Sequence, residues 1–497
     1  MDIKLINNKL YILGTAEFGP INSPLNVKSA NEVFSIYGNR GTLIEAYNSI
    51  SMLNLDVDIY LVKISGTHSE TYLNINQIGS EVLEDAFYIK SKHSNEKYNN
   101  IKINIKENYI AFSYEDEENI FYNEYDFERF KTVQDLVEAI NEDTRNLKNE
   151  VFCYANCDSS VLSKYAFLGV NNEEIYLTGG NSGLFYTKNM LFNCLEKTYS
   201  MLEGVQIDIL MPLGINYDDT FTDNLEDQFK YYDPEKEYLT LKDKNGEYEN
   251  FYKQLLKFCK NQMAFNCITH GVMSIDRSDS FNIDEDEYFE RLKYFKDLNS
   301  NGVTEKYRCL VSVCAGDLYS IYGTRIYNSQ MAYAPIAASI GGNQNTTNKK
   351  ADNSFTLYNT FSNELLAKLT DLGYVSFRFS PLTKTIVVTN GVTTSDDDNF
   401  KYFCNIRMVQ IICRLIKESL EKFIGENIFE IIESKKIEAE LESVFNTLID
   451  TRLIEGFNVN NISNEETGNI FINLDLKTLD MVEEIPLKGL IGGEANE

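Results

Sequence analysis

The residues of this chain whose types and spacing could do chemistry are few: a glycine-rich turn, three histidines, two acidic runs and a pair of cysteines. Gly179-Gly180-Asn181-Ser182-Gly183 follows an apolar run and precedes a helix-spaced segment. Backbone N–H groups at such a turn can hold a phosphate or nucleotide. The turn lacks the Lys-Ser/Thr of a P-loop and the spacing of the dinucleotide fingerprint, so a tight strand-to-helix connection accounts for it better. His270 lies in the apolar stretch 267–275, and no nucleophile or carboxylate partner for acid–base work is suggested beside it. His68 and His93 lie in or beside a polar region and read as solvated. The acidic runs 284–287 and 396–398 lack the alternating ligands and Gly of an EF-hand loop and read as solvated helix starts. Cys153 and Cys157 are spaced CxxxC with no His nearby, which does not fit a zinc site. The expectation is therefore no catalytic residue, no metal and no cofactor. The alternative kept open is an α/β enzyme acting on a small molecule at the 179–183 turn.

Composition narrows the partners. At 497 residues the chain is long enough for two to four domains. Its net charge of −29, from 46 basic and 75 acidic residues, works against nucleic acid, which needs basic surface to displace counterions. It works equally against an anionic membrane surface. The opening Met1-Asp2-Ile3-Lys4 does not read as a secretory leader. No window approaches the roughly 18 apolar residues of a membrane span. The 9 cysteines are scattered and mostly apolar in context, as expected of reduced core residues made in a cytoplasm.

The elements that must position these residues fall into three blocks. Residues 1–65 read as strand, helix, helix, strand, with Thr42 as a helix N-cap. Residues 151–365 repeat that alternation: helices over 187–202, 251–263 and 285–298, strands over 205–211, 267–275 and 307–314. Together they predict one discontinuous α/β domain with a mainly parallel sheet. Residues 66–150 instead alternate, as in Ile101-Lys102-Ile103-Asn104-Ile105, and predict an inserted antiparallel β domain closed by a helix over 132–141. The run 341–350 is the most loop-like in the chain and precedes a C-terminal α+β domain, 366–497. There Asn390-Gly391 predicts a hairpin turn. Ser395 is expected to cap a helix that buries Phe403, Ile406, Val409, Cys413, Ile416, Leu420 and Phe423. A second helix over 437–453 and strands over 470–476 and 482–491 complete the block. It carries a strong fold signal and no reactive group, which points to assembly.

An ordered set of segments resembles the contractile tail sheath proteins of phages and phage-derived injection systems. Ile12-Leu13-Gly14-Thr15-Ala16-Glu17-Phe18-Gly19-Pro20, Ser23-Pro24-Leu25-Asn26-Val27 and Phe34-Ser35-Ile36-Tyr37-Gly38 are similar to that family's start. The stretch 90–105 is similar to the first strands of its inserted β-sandwich domain. Leu177-Thr178-Gly179-Gly180-Asn181-Ser182-Gly183 resembles the opening of its central domain. Asn405-Ile406-Arg407-Met408 and Leu453-Ile454-Glu455-Gly456-Phe457-Asn458-Val459 resemble its C-terminal domain.

The resemblance implies a structural subunit, not an enzyme. Identical copies would polymerise as a helical sheath around a tail tube protein, with baseplate and tail terminator proteins at its ends. Contraction would drive the tube through the host envelope. A sheath-fold virion component that does not contract is the other reading of the same resemblance. The expected place is the virion tail, after assembly in the host cytoplasm. The resemblance also implies exchange of terminal strands between neighbours, a form of β-augmentation. Ile470, Ile472, Leu474 and Leu476 are the C-terminal candidates, and Ile3, Leu5 and Leu10 the N-terminal ones. The ten residues before Tyr11 reach at most about 33–36 Å, less than the family's usual arm, so the C-terminal tail is expected to carry more of the connection. A helix facing the tube would offer Arg407, Arg414, Lys417 and Lys422.

Overall fold

The computed structural model describes residues 8–51, 57–77, 81–115, 120–142, 151–169, 175–184, 186, 188–219, 241–242, 248–275, 284–320, 326–341, 344–351, 355–424, 435–452, 454–463 and 471–478. It is a mixed α/β structure with several sheets. The largest has seven strands, in the order Tyr374–Val375, Val311–Cys314, His270–Ser274, Ile209–Pro212, Asn8–Gly14, Val57–Lys63 and Leu25–Val27. All pairs are parallel except Leu25–Val27 against Val57–Lys63. The parallel strands read as apolar runs because helices cover both faces. Leu10, Ile12, Leu13, Leu61, Ile209, Met211, Val272 and Val311 are all fully buried. The helix Gln330–Ser339 packs on the three central strands and is buried all round, as its uniformly apolar sequence requires. Taken in chain order, the six parallel strands lie 2-1-3-4-5-6 across the sheet.

The second core belongs to two antiparallel sheets. One is ordered Ile175–Tyr176, Lys102–Ile105, Tyr109–Glu115, Ile120–Asp126, and the other Glu70–Gln77, Glu81–Ser91, Val151–Ala155. The helix Val133–Glu142 closes them with the expected Val133, Leu136, Val137 and Ile140. The antiparallel structure does not stop at residue 150. Val151 and Cys153 are buried in this core, and Ile175 pairs with Ile103. Phe152 and Tyr154 point outward, so residues 151–155 alternate as a half-buried strand does.

The helix Phe403–Leu420 joins the first core to a third. Phe403 and Ile406 pack in the first, while Met408 and Ile412 pack with Ile437, Leu441, Phe445 and Leu448 of the helix Lys436–Asp450. The hairpin Ile454–Ser463 with Phe471–Thr478 covers this third core, and Phe457 stacks on Phe445 at 4.5 Å.

Several local expectations change. Thr42 opens its helix instead of capping it, and its Oγ1 accepts from Thr15 N at 2.9 Å. Residues 305–308 are a short helix, so the strand expected over 307–314 begins at Val311. The hairpin of Phe377–Ser380 and Thr385–Val388 turns at 381–384, not at Asn390-Gly391. Gly391 is instead pressed on Thr346, whose Oγ1 lies 1.6 Å from where a Cβ would stand. Ser395 caps no helix; its Oγ donates to Glu305 at 2.8 Å, and Asp396 pairs with Lys296 and Arg308. Val409 and Cys413 are only half-buried, because the helix turns Arg407, Gln410 and Arg414 inward.

Candidate functional site

The glycine-rich turn is a seam. Asn99 Oδ1 accepts from Gly180 N at 2.8 Å, and Asn99 Nδ2 donates to Gly180 O at 3.1 Å. Glu96 Oε1 accepts from Ser182 N at 3.1 Å and from Ser182 Oγ at 3.2 Å. Asn181 N donates to Thr67 O at 3.0 Å, and Gly183 N to the Asn181 side chain at 2.6 Å. These N–H groups are already occupied, and a carboxylate stands among them, so the turn offers no phosphate site. Its glycines serve close approach. A Cβ on Gly183, at φ +71°, would lie 2.3 Å from Gly66 N. Gly183→Ala is therefore expected to lower stability by about 2 kcal/mol more than Gly169→Ala, as urea unfolding would measure. Gly169 has a similar φ of +68° but open space around it.

His270 is fully buried, its Nε2 2.9 Å from Ser312 Oγ. Ser312 Oγ in turn donates to Val392 O at 2.7 Å. Burial lowers the imidazole to about 3, so it stays neutral as a core hydrogen-bonding group. His68 and His93, expected to be solvated, are half-buried beside the seam.

The strand order 2-1-3-4-5-6 reverses between Asn8–Gly14 and Ile209–Pro212. Ligands of doubly wound folds bind beyond the carboxyl ends of the strands at such a point. Here that region is internally bonded. Lys188 Nζ donates to Gly214 O at 3.0 Å and to Asp219 at 2.8 Å, and Asn328 Nδ2 donates to Ser274 Oγ at 2.8 Å and to Asn216 Oδ1 at 3.1 Å.

At the opposite end, where strand Asn8–Gly14 begins, lies a buried ionic cluster that sequence reasoning missed. Asp208 is fully buried and accepts from Lys9 N at 2.8 Å and from the Arg414 guanidinium. Arg407 Nη1 lies 3.7 Å from the same carboxylate and donates to Gln410 Oε1 at 2.8 Å. Its other nitrogens reach Ile340 O at 3.2 Å and the Asn8 side chain. Gln410 Nε2 closes the cluster on Asp208 O at 2.8 Å and Ile268 O at 3.2 Å. Burial lowers the Arg407 guanidinium to about 10, which still leaves it charged at neutral pH. Arg407 and Arg414 therefore cannot face a tube: both are spent on holding the helix Phe403–Leu420 to the sheet. Lys417 and Lys422 are exposed, Lys417 Nζ 3.5 Å from Phe265 O and Lys422 paired with Glu440.

Among the strand candidates, Leu10 is also corrected. It is fully buried and paired between Ile209 and Ile59 in the central sheet, so it cannot leave the body. Ile3, Leu5 and Ile470 lie outside the described residues. Ile472 pairs with Ile462 and packs on the third core, and Leu474 and Leu476 pair with Val459 and Phe457. Among the described residues neither outer edge of this hairpin carries another strand. Among those residues no cluster of metal-ligating side chains occurs and no helix is long and apolar enough to cross a membrane.

No family model and no curated relative matches the sequence. Solved structures do. The sheath tail protein from Desulfitobacterium hafniense aligns over 96% of this chain and 98% of its own, at 12% identity and a TM-score of 0.50. The sheath tail protein from Listeria innocua aligns over 96% of each chain, at 12% identity and a TM-score of 0.53. The contracted sheath complex of an extracellular contractile injection system covers 61% of this chain at 0.43, too loose a likeness to carry weight. This chain has the fold of tail sheath proteins.

Proposed function

We propose that this chain is the structural subunit of a contractile tail sheath. The observation that carries the reading is the alignment of almost the whole chain with almost the whole of two sheath tail proteins. In this reading identical copies polymerise around a tail tube protein between a baseplate and a tail terminator, in the virion tail, after assembly in the host cytoplasm. The reading treats the chain as a body of residues 1–65 and 184 to about 406, an insertion running to about residue 178 rather than 150, and a C-terminal polymerisation part from about 408 rather than 366, since Tyr374–Val375 lies in the main sheet and Phe403 and Ile406 in its core. The open-edged hairpin supplies the joining sheet. Its second strand carries Ile472, Leu474 and Leu476, and the terminal segments 1–7, with Ile3 and Leu5, and 479–497 are the proposed links to neighbours. Main-chain hydrogen bonds of this kind hold while the bodies rotate, which is what contraction demands. Lys417 and Lys422 remain the proposed tube contacts.

The test is to express the chain alone and view it by negative-stain electron microscopy. Hollow helical tubes are expected, in the contracted form if no tube protein is present. Monomers at high concentration, with no tubes formed when the tube protein is added, would overturn the reading. Tubes of one fixed length per subunit, with and without the tube protein, would leave a sheath-fold component that does not contract.

A further inference from the structure

The chain crosses between the first and second cores twice, at residues 64–67 and 178–183, and polar contacts hold both crossings. Thr67 and Asn181 exchange backbone hydrogen bonds at 2.9 and 3.0 Å, and Glu70 and Thr178 do so at 2.8 and 3.0 Å. Ser65 Oγ donates to Gly183 O at 2.8 Å, and Ser69 Oγ to Asn99 at 2.9 Å. From the N-terminal stretch, Phe18 packs on the second core.

Three basic groups are threaded through this seam. Lys63 Nζ is fully buried and donates to both oxygens of Ser94, at 3.1 Å to the carbonyl. His68 Nδ1 donates to Ser91 O at 2.8 Å, and Ser91 is tied to Ser69 through backbone and side chain. His93 Nδ1 is buried with no hydrogen-bond partner among the described residues, so a proton placed there makes an N–H with nothing to receive it. We propose that this seam is a proton-operated hinge: acid loosens the two crossings and frees the second unit to move against the first while both cores stay folded. The inference concerns the isolated chain and does not depend on the sheath reading.

The groups facing these three are Glu17, Glu70 and Glu96, with Lys90, Lys92 and Lys97. Burial lowers the Lys63 ammonium from 10.5 to about 7, against the pull of Glu96 and Glu17. Burial, reinforced by neighbouring lysines, lowers His68 and His93 from 6.5 to about 4. In each case the open state binds the extra proton first, so closure weakens as pH falls. The Lys63 window runs from 10.5 down to about 7, and the histidine window from 6.5 down to about 4.

Amide hydrogen exchange of the full chain, corrected for intrinsic rates, tests the hinge. Between about pH 8 and about pH 5, protection at Thr67, Glu70, Thr178 and Asn181 is expected to fall by about tenfold or more. Amides of Ile209–Pro212 and of Tyr109–Glu115 should hold. His68→Gln with His93→Gln should remove the part of the fall below about pH 6.5, and Lys63→Met the part above it. Equal loss in the seam and both cores, or a fall unchanged in the variants, would overturn the proposal. If the histidine pair does not fold, Lys63→Met alone decides: an unchanged fall above about pH 6.5 sinks it.

Discussion

Replacing Asp208 with alanine is expected to lower the stability of the chain by about 3–5 kcal/mol. The substitution removes the one carboxylate that both guanidiniums of the helix Phe403–Leu420 share, leaving Arg407 and Arg414 buried without it. A buried charge whose partner is removed costs far more than the pair itself contributed, because its solvation was surrendered on folding. Lys9 N loses its acceptor in the same step. Arg407→Ala should be comparably damaging, since Asn8, Ile340 and Gln410 all lose a donor. Lys422→Ala, in the exposed 3-10 turn Glu421–Phe423, should stay within about 0.5 kcal/mol. Urea unfolding of the three variants reads the contrast directly. An Asp208→Ala loss below about 1 kcal/mol would mean that the helix does not sit on this carboxylate.

That cluster also shows what could be read in the sequence and what could not. The parallel strands were legible because burial on both faces leaves an unbroken apolar run, as in Tyr11-Ile12-Leu13. The helix Val133–Glu142 was legible to within one residue at each end, because only one of its faces is apolar. Arg407 and Arg414 were not, because basic residues on a helix ordinarily read as solvent-facing. Two signals were nevertheless present. Arg407, Gln410 and Arg414 fall at i, i+3 and i+7, one face of a helix, beside Phe403 and Ile406. Asp208 interrupts an apolar run headed into a buried strand, where a carboxylate requires a cation. Pairing them across 206 residues of chain is a tertiary fact that spacing alone cannot supply. The boundary at 150 failed for a different reason. Val151-Phe152-Cys153-Tyr154-Ala155 already alternates, but all five residues are apolar or aromatic, which masks the period of a strand with one exposed face. The 179–183 turn was rightly read as a connection, while its partners Asn99 and Glu96 lie some 80 residues away in sequence.

A chain cut to residues 8–478 is expected to fold as a stable monomer and to form no tubes. The reasoning starts from the hairpin. Its inner face, Ile454, Phe457, Val459, Ile462 and Ile472, packs on the third core, so Phe471–Thr478 is part of the folded body and not a loose arm. A cut at residue 468 would therefore confound two effects. It would strip the partner from Ile454–Ser463, expose Phe457 and Val459, and invite aggregation along an unpaired edge. Ending the chain after Thr478 keeps every described element and removes only the terminal segments proposed to reach a neighbour. Unfolding midpoints of the cut and full chains are expected to agree, since the cut keeps every residue of the three described cores. Polymerisation should fail outright, because a helical lattice joined by strands has no closed form to fall back on when its links are absent. The two single cuts apportion the link. If the C-terminal tail carries most of it, the chain 1–478 forms no tubes, whereas 8–497 still forms tubes at higher concentration. Ile472→Asp in the full chain adds a check, since a carboxylate against the third core should destabilise it by about 2–3 kcal/mol and abolish tubes with it. Normal tubes from residues 8–478 would place the joining contacts on the rigid faces of the bodies and remove strand exchange from the mechanism.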